Sequence, residues 1–344
     1  MLGKYLIQAA ANAFAAAPGL EATDVFAPAI YTGSSSAQSI NNGINLATYG
    51  GMVWGKNRTS GSFDYFMSDS ARGIGVNSVY KYLRPNSEGS ELDVAGRGFT
   101  SFNSNGFTVA TDTGSFNNAS YNYVTWTFRK AAKFFDVVTY TGTGSAQNIS
   151  HSLGSVPGCI IVKRMDSTGN WRMYHRANTA NPETDYLSLN LAAATADSDT
   201  YWNDTAPTSS VFTVGTNAEV NVSGGLYVAY LFAHDAGGFG PTATESPIIC
   251  GGYTGTGSAI QIDCGFDAAA RFVMIKQSSG TNYWTVWDSA RGINVGDEPS
   301  LRLGAILTDA TTNYIDPVSN GFQVNASQAL VNTSGQSYVY IAVA

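Results

Sequence analysis

Charge is scarce in this chain. Only 12% of its 344 residues are Asp, Glu, Lys or Arg, about half the share of an ordinary soluble domain. The balance is acidic, with a formal net charge of −7. Clustered Lys and Arg able to displace counterions from phosphates are missing, so no nucleic-acid partner is expected. Cysteine is scarcer still. Cys159, Cys250 and Cys264 lack metal-type spacing, and an odd count does not make a full disulfide framework. Cys159 sits in an apolar run and reads as a small core residue, while Cys250 and Cys264 flank an expected hairpin. Three histidines are present, His151, His175 and His234, with no nucleophile elbow to accompany them, which removes a Ser-His-Asp triad. No run reaches the ~18 apolar residues of a membrane-spanning helix. EF-hand, P-loop and zinc spacings are absent as well. No metal, cofactor or catalytic residue is expected, and the chain reads as non-enzymatic.

What fills the space is 44% hydrophobic residues, 37 Gly, 19 Tyr and 17 Phe, with abundant Ser, Thr and Asn. Such a mixture suits short strands with aromatic faces joined by polar turns. The order within it is a threefold repeat. Tyr-Thr-Gly occurs at Tyr31, Tyr140 and Tyr253; a strand-ending lysine at Lys56, Lys163 and Lys276; Phe before a β-branched position at Phe107, Phe212 and Phe322; and Tyr-Val at Tyr123, Tyr227 and Tyr338. Lysine to Phe spans 51, 49 and 46 residues, and Phe to Tyr 16, 15 and 16. Four ordered landmarks holding these intervals three times point to tandem duplication. A period of about 110 residues makes each copy a domain rather than a solenoid repeat.

Within each copy a hairpin stands out. In the second it is the apolar run Cys159-Ile160-Ile161-Val162, a polar turn, and the returning Trp171-Arg172-Met173-Tyr174; in the third, Phe272-Val273-Met274-Ile275 and Trp284-Thr285-Val286-Trp287. Continuous apolar runs of strand length imply burial on both faces, and the turns are rich in Ser, Thr, Gly and Asn. The expected fold is all-β: three tandem antiparallel β-sandwich (jelly-roll-like) domains after a short N-terminal helical segment. Boundaries are placed at 1–28 for that segment, then 29–133, 134–240 and 247–344. The basic link Arg129–Lys133 is short, whereas His234–Pro247 is longer and rich in Gly, Ala, Pro and Thr, suggesting a hinge before the third domain.

Polar clusters are few. His175 is replaced by Asp69 and Asp288 in the sister copies, as suits a surface polar position rather than a catalytic base. Asp69-Ser70-Ala71-Arg72-Gly73 recurs as Asp288-Ser289-Ala290-Arg291-Gly292, its Asp and Arg placed to pair locally and fix a turn. Asp185, Asp197, Asp199 and Asp204 fall together near Tyr201 and Trp202. Carboxylates beside aromatic rings suit sugar contact, a calcium loop or paired-carboxylate glycoside chemistry; a solvated loop is the plainer account. Loops at sandwich ends carry recognition, so Tyr201, Trp202, Asn203 and Asp204, with Tyr314 and Asp316 in the third copy, are the candidate receptor-binding residues.

Val156 to Arg164, Tyr201-Trp202-Asn203-Asp204-Thr205-Ala206-Pro207 and Tyr227 to Ala233 resemble repeat-bearing tail-fibre or tail-appendage virion proteins of marine bacteriophages and cyanophages. The opening Met1-Leu2-Gly3-Lys4-Tyr5-Leu6 and its Ala-rich sequel resemble theirs too. The resemblance spans essentially the whole chain and departs around Ser87–Arg97. It implies a structural virion protein located in the tail, assembled in the host cytoplasm and involved in host attachment. Its N-terminus, through Tyr5, Leu6, Ala9 and Ala13, would join other virion proteins such as tail or baseplate components. Its β domains would meet host surface polysaccharide or protein, and the protein would be a homo-oligomer, a trimer being favoured. The alternatives are a capsid decoration or cement protein and, further off, a polysaccharide depolymerase.

Overall fold

The computed structural model describes residues 19–74, 81–94, 97–111, 114–326 and 328–344. Tyr5, Leu6, Ala9 and Ala13, with the expected N-terminal helix, lie outside them. The described chain is mostly strand, in antiparallel sheets grouped as three sandwiches. In the first, Phe26–Thr32 pairs with Asn122–Arg129, which pairs with Gly51–Asn57 and through it with Phe66–Asp69. The second repeats this order with Phe135–Thr141, Leu226–Phe232, Cys159–Arg164 and Arg172–His175; the third does so with Ile248–Thr254, Ser337–Val343, Phe272–Gln277 and Thr285–Asp288. A smaller sheet covers one face in each unit, built on Gln38–Asn41 and Gly106–Val109, Gln147–Ser150 and Val211–Val214, and Ile260–Asp263 and Gly321–Val324. The hairpin is the core strand pair of each sandwich, but the unit's last strand, not its first, lies beside it. The first strand opens at Phe26, ahead of the boundary expected at 29.

The recurring landmarks have one local job. Tyr31 stacks on Tyr123, Tyr140 on Tyr227 and Tyr253 on Tyr338, with ring centroids 4.9, 5.1 and 5.1 Å apart. These are directly opposed cross-strand pairs, a position where aromatic contact stabilises a sheet. Beside each stack a wholly buried asparagine, Asn117, Asn221 or Asn332, holds the turn after Tyr-Thr-Gly. Asn221 accepts from the Thr143 amide and Gln147 Nε2, both at 2.8 Å, and donates to the Ser145 and Gly215 carbonyls at 2.6 Å. Asn117 and Asn332 make the matching bonds to Ser34, Gln38, Ser36 and Ala110 and to Thr256, Gly257, Ser258 and Asn325. All four bonding positions of a buried amide are thereby used.

The long apolar strands are buried twice over. One set of alternating side chains, such as Val53 or Val273 and Ile275, fills its own sandwich. The other set meets in a core shared by all three units: Met52, Trp54, Trp126 and Phe128 from the first, Cys159, Ile161, Tyr230 and Phe232 from the second, Phe272, Met274, Ile341 and Val343 from the third. Phe128 lies among Phe135 and Phe232 of the second unit and Phe272 of the third, at centroid distances of 5.7, 5.4 and 5.8 Å. The sandwiches thus surround a common axis rather than follow one another as beads. The 234–247 link is packed down, not a free hinge: Phe239 meets Phe134 at 6.3 Å, and the Asp235 amide donates to the Ile248 carbonyl. Arg271 closes the ring by donating to the Ala344 and Phe26 carbonyls at 2.6 and 3.2 Å.

Candidate functional site

Each returning hairpin strand is preceded by a large aromatic residue and ends on a polar one, and both reach into neighbouring units. Tyr65 donates its hydroxyl to the Arg302 carbonyl at 3.2 Å, Trp171 its indole N–H to Arg84 at 3.1 Å, and Trp284 its own to Ser188 at 3.2 Å. First bonds third, second bonds first, third bonds second. Two of the repeated lysines support the same seams, and the third bonds within its own unit. Lys163 donates to the Glu88 and Gly169 carbonyls and Lys276 to those of Ala192 and Asn282, while Lys56 bonds Phe63. Burial pulls all three ammonium groups down to about 8.

At the far end of the strand the repeated Asp-Ser-Ala-Arg motif forms a buried ion pair. Asp69 Oδ2 accepts from Arg72 Nε at 2.6 Å and from the Tyr230 hydroxyl of the second unit at 2.8 Å. Asp69 Oδ1 caps the turn, accepting the Ala71 and Arg72 amides. Asp288 repeats the set, taking Arg291 Nε at 2.6 Å and Trp126 Nε1 of the first unit at 2.8 Å. The second carboxylate on each arginine is Glu91 or Asp309, at 3.0 and 3.1 Å, and Asp309 also binds Arg58 across the third-to-first seam at 2.6 Å. Burial opposes the charge on Arg72, but Asp69, Tyr230 and Glu91 outweigh it and hold the guanidinium above its ordinary range. These groups are spent on holding units together.

The second-to-third seam departs from this pattern. His175 occupies the aspartate position, and it is buried rather than on the surface as its sequence context suggested. Nε2 lies 3.1 Å from the Tyr340 carbonyl of the third unit, and Nδ1 accepts the Ala177 amide at 3.3 Å. Both nitrogens are therefore engaged by a neutral ring, Nε2 as donor. Burial, with Arg176 and His234 nearby, pushes His175 down to about 3, and burial puts His234 at about 4. A folded value below the unfolded ~6.5 means that this stability is present above pH 6.5 and is lost as pH falls toward 3. Thermal melts between pH 7 and pH 4 should show a falling Tm, and His175→Gln should flatten that slope. An unchanged slope in the variant would assign the acid sensitivity elsewhere.

The candidate receptor residues separate. Tyr201 and Trp202, expected on an exposed loop, are 5% and 2% exposed, which takes them off the surface. Tyr201 donates to Glu219 Oε2 at 2.8 Å and lies 4.1 Å from the Tyr186 ring; Trp202 donates to the Asp185 carbonyl at 3.0 Å. The short helical turn Asp199–Trp202 directs them inward, and Asn203, in the left-handed region at φ 54°, ends it. Asn203 and Asp204 are exposed. Asp185 is buried and bonded to Thr179, whereas Asp197 and Asp199 are exposed, so the four carboxylates do not converge. In the third unit Tyr314 packs against Trp287, and Asp316 accepts the Gly296 amide at 3.1 Å. Among the described residues no three His, Cys, Asp or Glu side chains are grouped to hold a metal, no helix is long and apolar enough to cross a membrane, and all three cysteines are buried free thiols.

Open concave surface lies elsewhere. A cleft of about 350 Å³ between the first two units is lined by Arg72, Lys81, Glu91, Tyr140, Met165 and Asp166. Its charges are already paired, Lys81 with Glu91 at 3.3 Å and Asp166 with Arg164 at 2.8 Å. A groove of about 590 Å³ lies on the first unit beside Tyr49. Sequence reasoning missed this groove and the three asparagines. The asparagines had left a signal, each standing six residues before the repeated Tyr123, Tyr227 or Tyr338.

No curated protein matches the chain. Three chains of solved structure do; one, described as "Crystal Structure of the STIV MCP", is 8% identical and covers 61% of this chain and 85% of its own, with a TM-score of 0.16. A likeness that weak carries no argument. A family match is extensive, running from residue 21 to residue 344, and by it the chain belongs to the family described as Domain of unknown function (DUF7483).

Proposed function

We propose that the protein is a non-enzymatic structural component of a tailed-phage virion, a tail fibre or tail appendage that supports host attachment. The observation that carries this reading is the arrangement of three sandwiches about one axis with Leu20, ahead of the first strand, held at one end. Leu20 bonds Gly240 and bridges to Phe239, beside Phe134 and the shared aromatic core. The first strand then runs from Phe26 to Thr32, so the Tyr-Thr-Gly turns lie roughly 20 Å away at about 3.4 Å per residue. One end is thus suited to join tail or baseplate components through the residues ahead of the first strand, and the other to face host polysaccharide or protein.

The chain's own threefold pseudosymmetry also bears on assembly. A single copy already presents three β units around an axis, the arrangement that a homotrimer of simpler chains would build. That observation favours a second reading, a capsid decoration protein with one copy on a threefold position. Deletion of residues 1–18, which spares the Leu20 bridge, should abolish incorporation into particles while leaving the far-UV circular dichroism and Tm of the β units unchanged. Full incorporation of the truncated chain would overturn the attachment role of the N-terminus. Gold labelling of tagged chains in intact particles separates tail from capsid.

A further inference from the structure

We propose that the groove beside Tyr49 is a glycan subsite for one or two neutral pyranose rings; it lies at the end of the sandwiches where Asp24 and Phe26 sit, and so stands apart from the attachment reading above. Leu46–Tyr49 is a single helical turn, with Asn45 Oδ1 accepting the Thr48 amide and Gly50, at φ 70°, ending it. The turn leaves Tyr49 49% exposed. It is ordered nonetheless, because the Arg129 guanidinium lies 3.8 Å from the ring centroid, a cation–π geometry. Arg129 is in turn fixed by donation to the Asp24 carbonyl at 3.2 Å. An aromatic ring already immobilised loses little entropy on binding, which favours weak ligands such as sugars.

The rest of the groove has matching chemistry. Phe102 and Ile74 supply apolar wall, and Thr48 supplies a hydroxyl; Ser70, which accepts the Gly51 amide, keeps its O–H, while Thr100 and Ser101 donate to the Thr108 carbonyl and Asn103 and keep only acceptor capacity. The Lys130 ammonium is committed to Asp136 at 2.8 Å, so the groove has little unpaired charge. Sugar C–H groups carry partial positive charge and seek the negative face of an aromatic ring, while sugar hydroxyls exchange bonds with Ser and Thr. A volume of about 590 Å³ falls in the range of small-molecule sites. The aromatic ring belongs to the first unit alone: strand register places Val156 and Ala269 at the corresponding positions of the second and third units.

The test is saturation-transfer NMR with cellobiose, maltose and lactose at millimolar concentration and the full-length protein. Transfer to ring C–H protons of at least one sugar is expected, with affinity lowered about tenfold in Tyr49→Ala, as befits loss of one aromatic contact, and retained in Tyr49→Phe. Thr48→Arg, a substitution at an exposed lining position, should block the groove without touching the core and must also lose binding; melting curves check that both variants remain folded. No transfer from any of the three sugars, or binding by Tyr49→Ala and Thr48→Arg undiminished from the wild type, overturns the subsite.

Discussion

Replacement of Asp288 by alanine is expected to remove about 3–5 kcal/mol of stability, the cost of leaving one partner of a buried ion pair uncompensated. Arg291 is wholly buried and keeps only Asp309 as a counter-charge, and Trp126 Nε1 loses its acceptor. The damage reaches two units because the carboxylate serves both. Urea denaturation followed by tryptophan fluorescence measures it as a fall in midpoint. Asp288→Asn should recover part of the loss, since an amide oxygen still accepts hydrogen bonds but brings no charge. A cost below about 1 kcal/mol for alanine, in the range of exposed pairs, would show that water reaches Arg291 and that the seam is loose.

Phe128→Ala should be as damaging, at about 3–5 kcal/mol for a large aromatic side chain removed from a core. The side chain is 1% exposed and touches rings from both other units, so the cavity would open where the three sandwiches meet. The form of the unfolding curve matters as much as its midpoint. Units that share one core should unfold together in the wild type, giving a calorimetric enthalpy equal to the van't Hoff enthalpy. In Phe128→Ala the units should begin to part, with a broadened or split transition. Three separate transitions in the wild type would mean that the shared core contributes little.

The sandwich content of the chain was legible because strand periodicity and turn chemistry are local. The triple repetition was legible because four landmarks kept their spacing. The arrangement around an axis was not, although a trace of it was present. Cys159 to Val162 was apolar at every position, as a strand buried on both faces should be, but an apolar run does not say what lies on its second face. That face belongs to other units, and contacts distant in sequence leave no local period. His175 misled for a related reason: replacement by Asp suggests solvent unless the neighbouring unit's carbonyl is known. Tyr201 and Trp202 failed because an aromatic pair in a polar, Asp-rich loop looks the same whether its rings face in or out. The helical turn that carries them is four residues long, too short to give an amphipathic pattern. Tyr49, by contrast, lay in an unremarked stretch, and only its exposure and its contact with Arg129 single it out.

Arg271 brings Ala344 beside Phe26, and with that contact three sectors of one polypeptide complete a circle. In a ring of identical chains every substitution is made three times, so a change that helps one position burdens the other two. Here each sector can vary alone. The neutral His175 seam beside two ionic ones, and one exposed tyrosine on one sector, are variations that a strictly symmetric assembly could not carry.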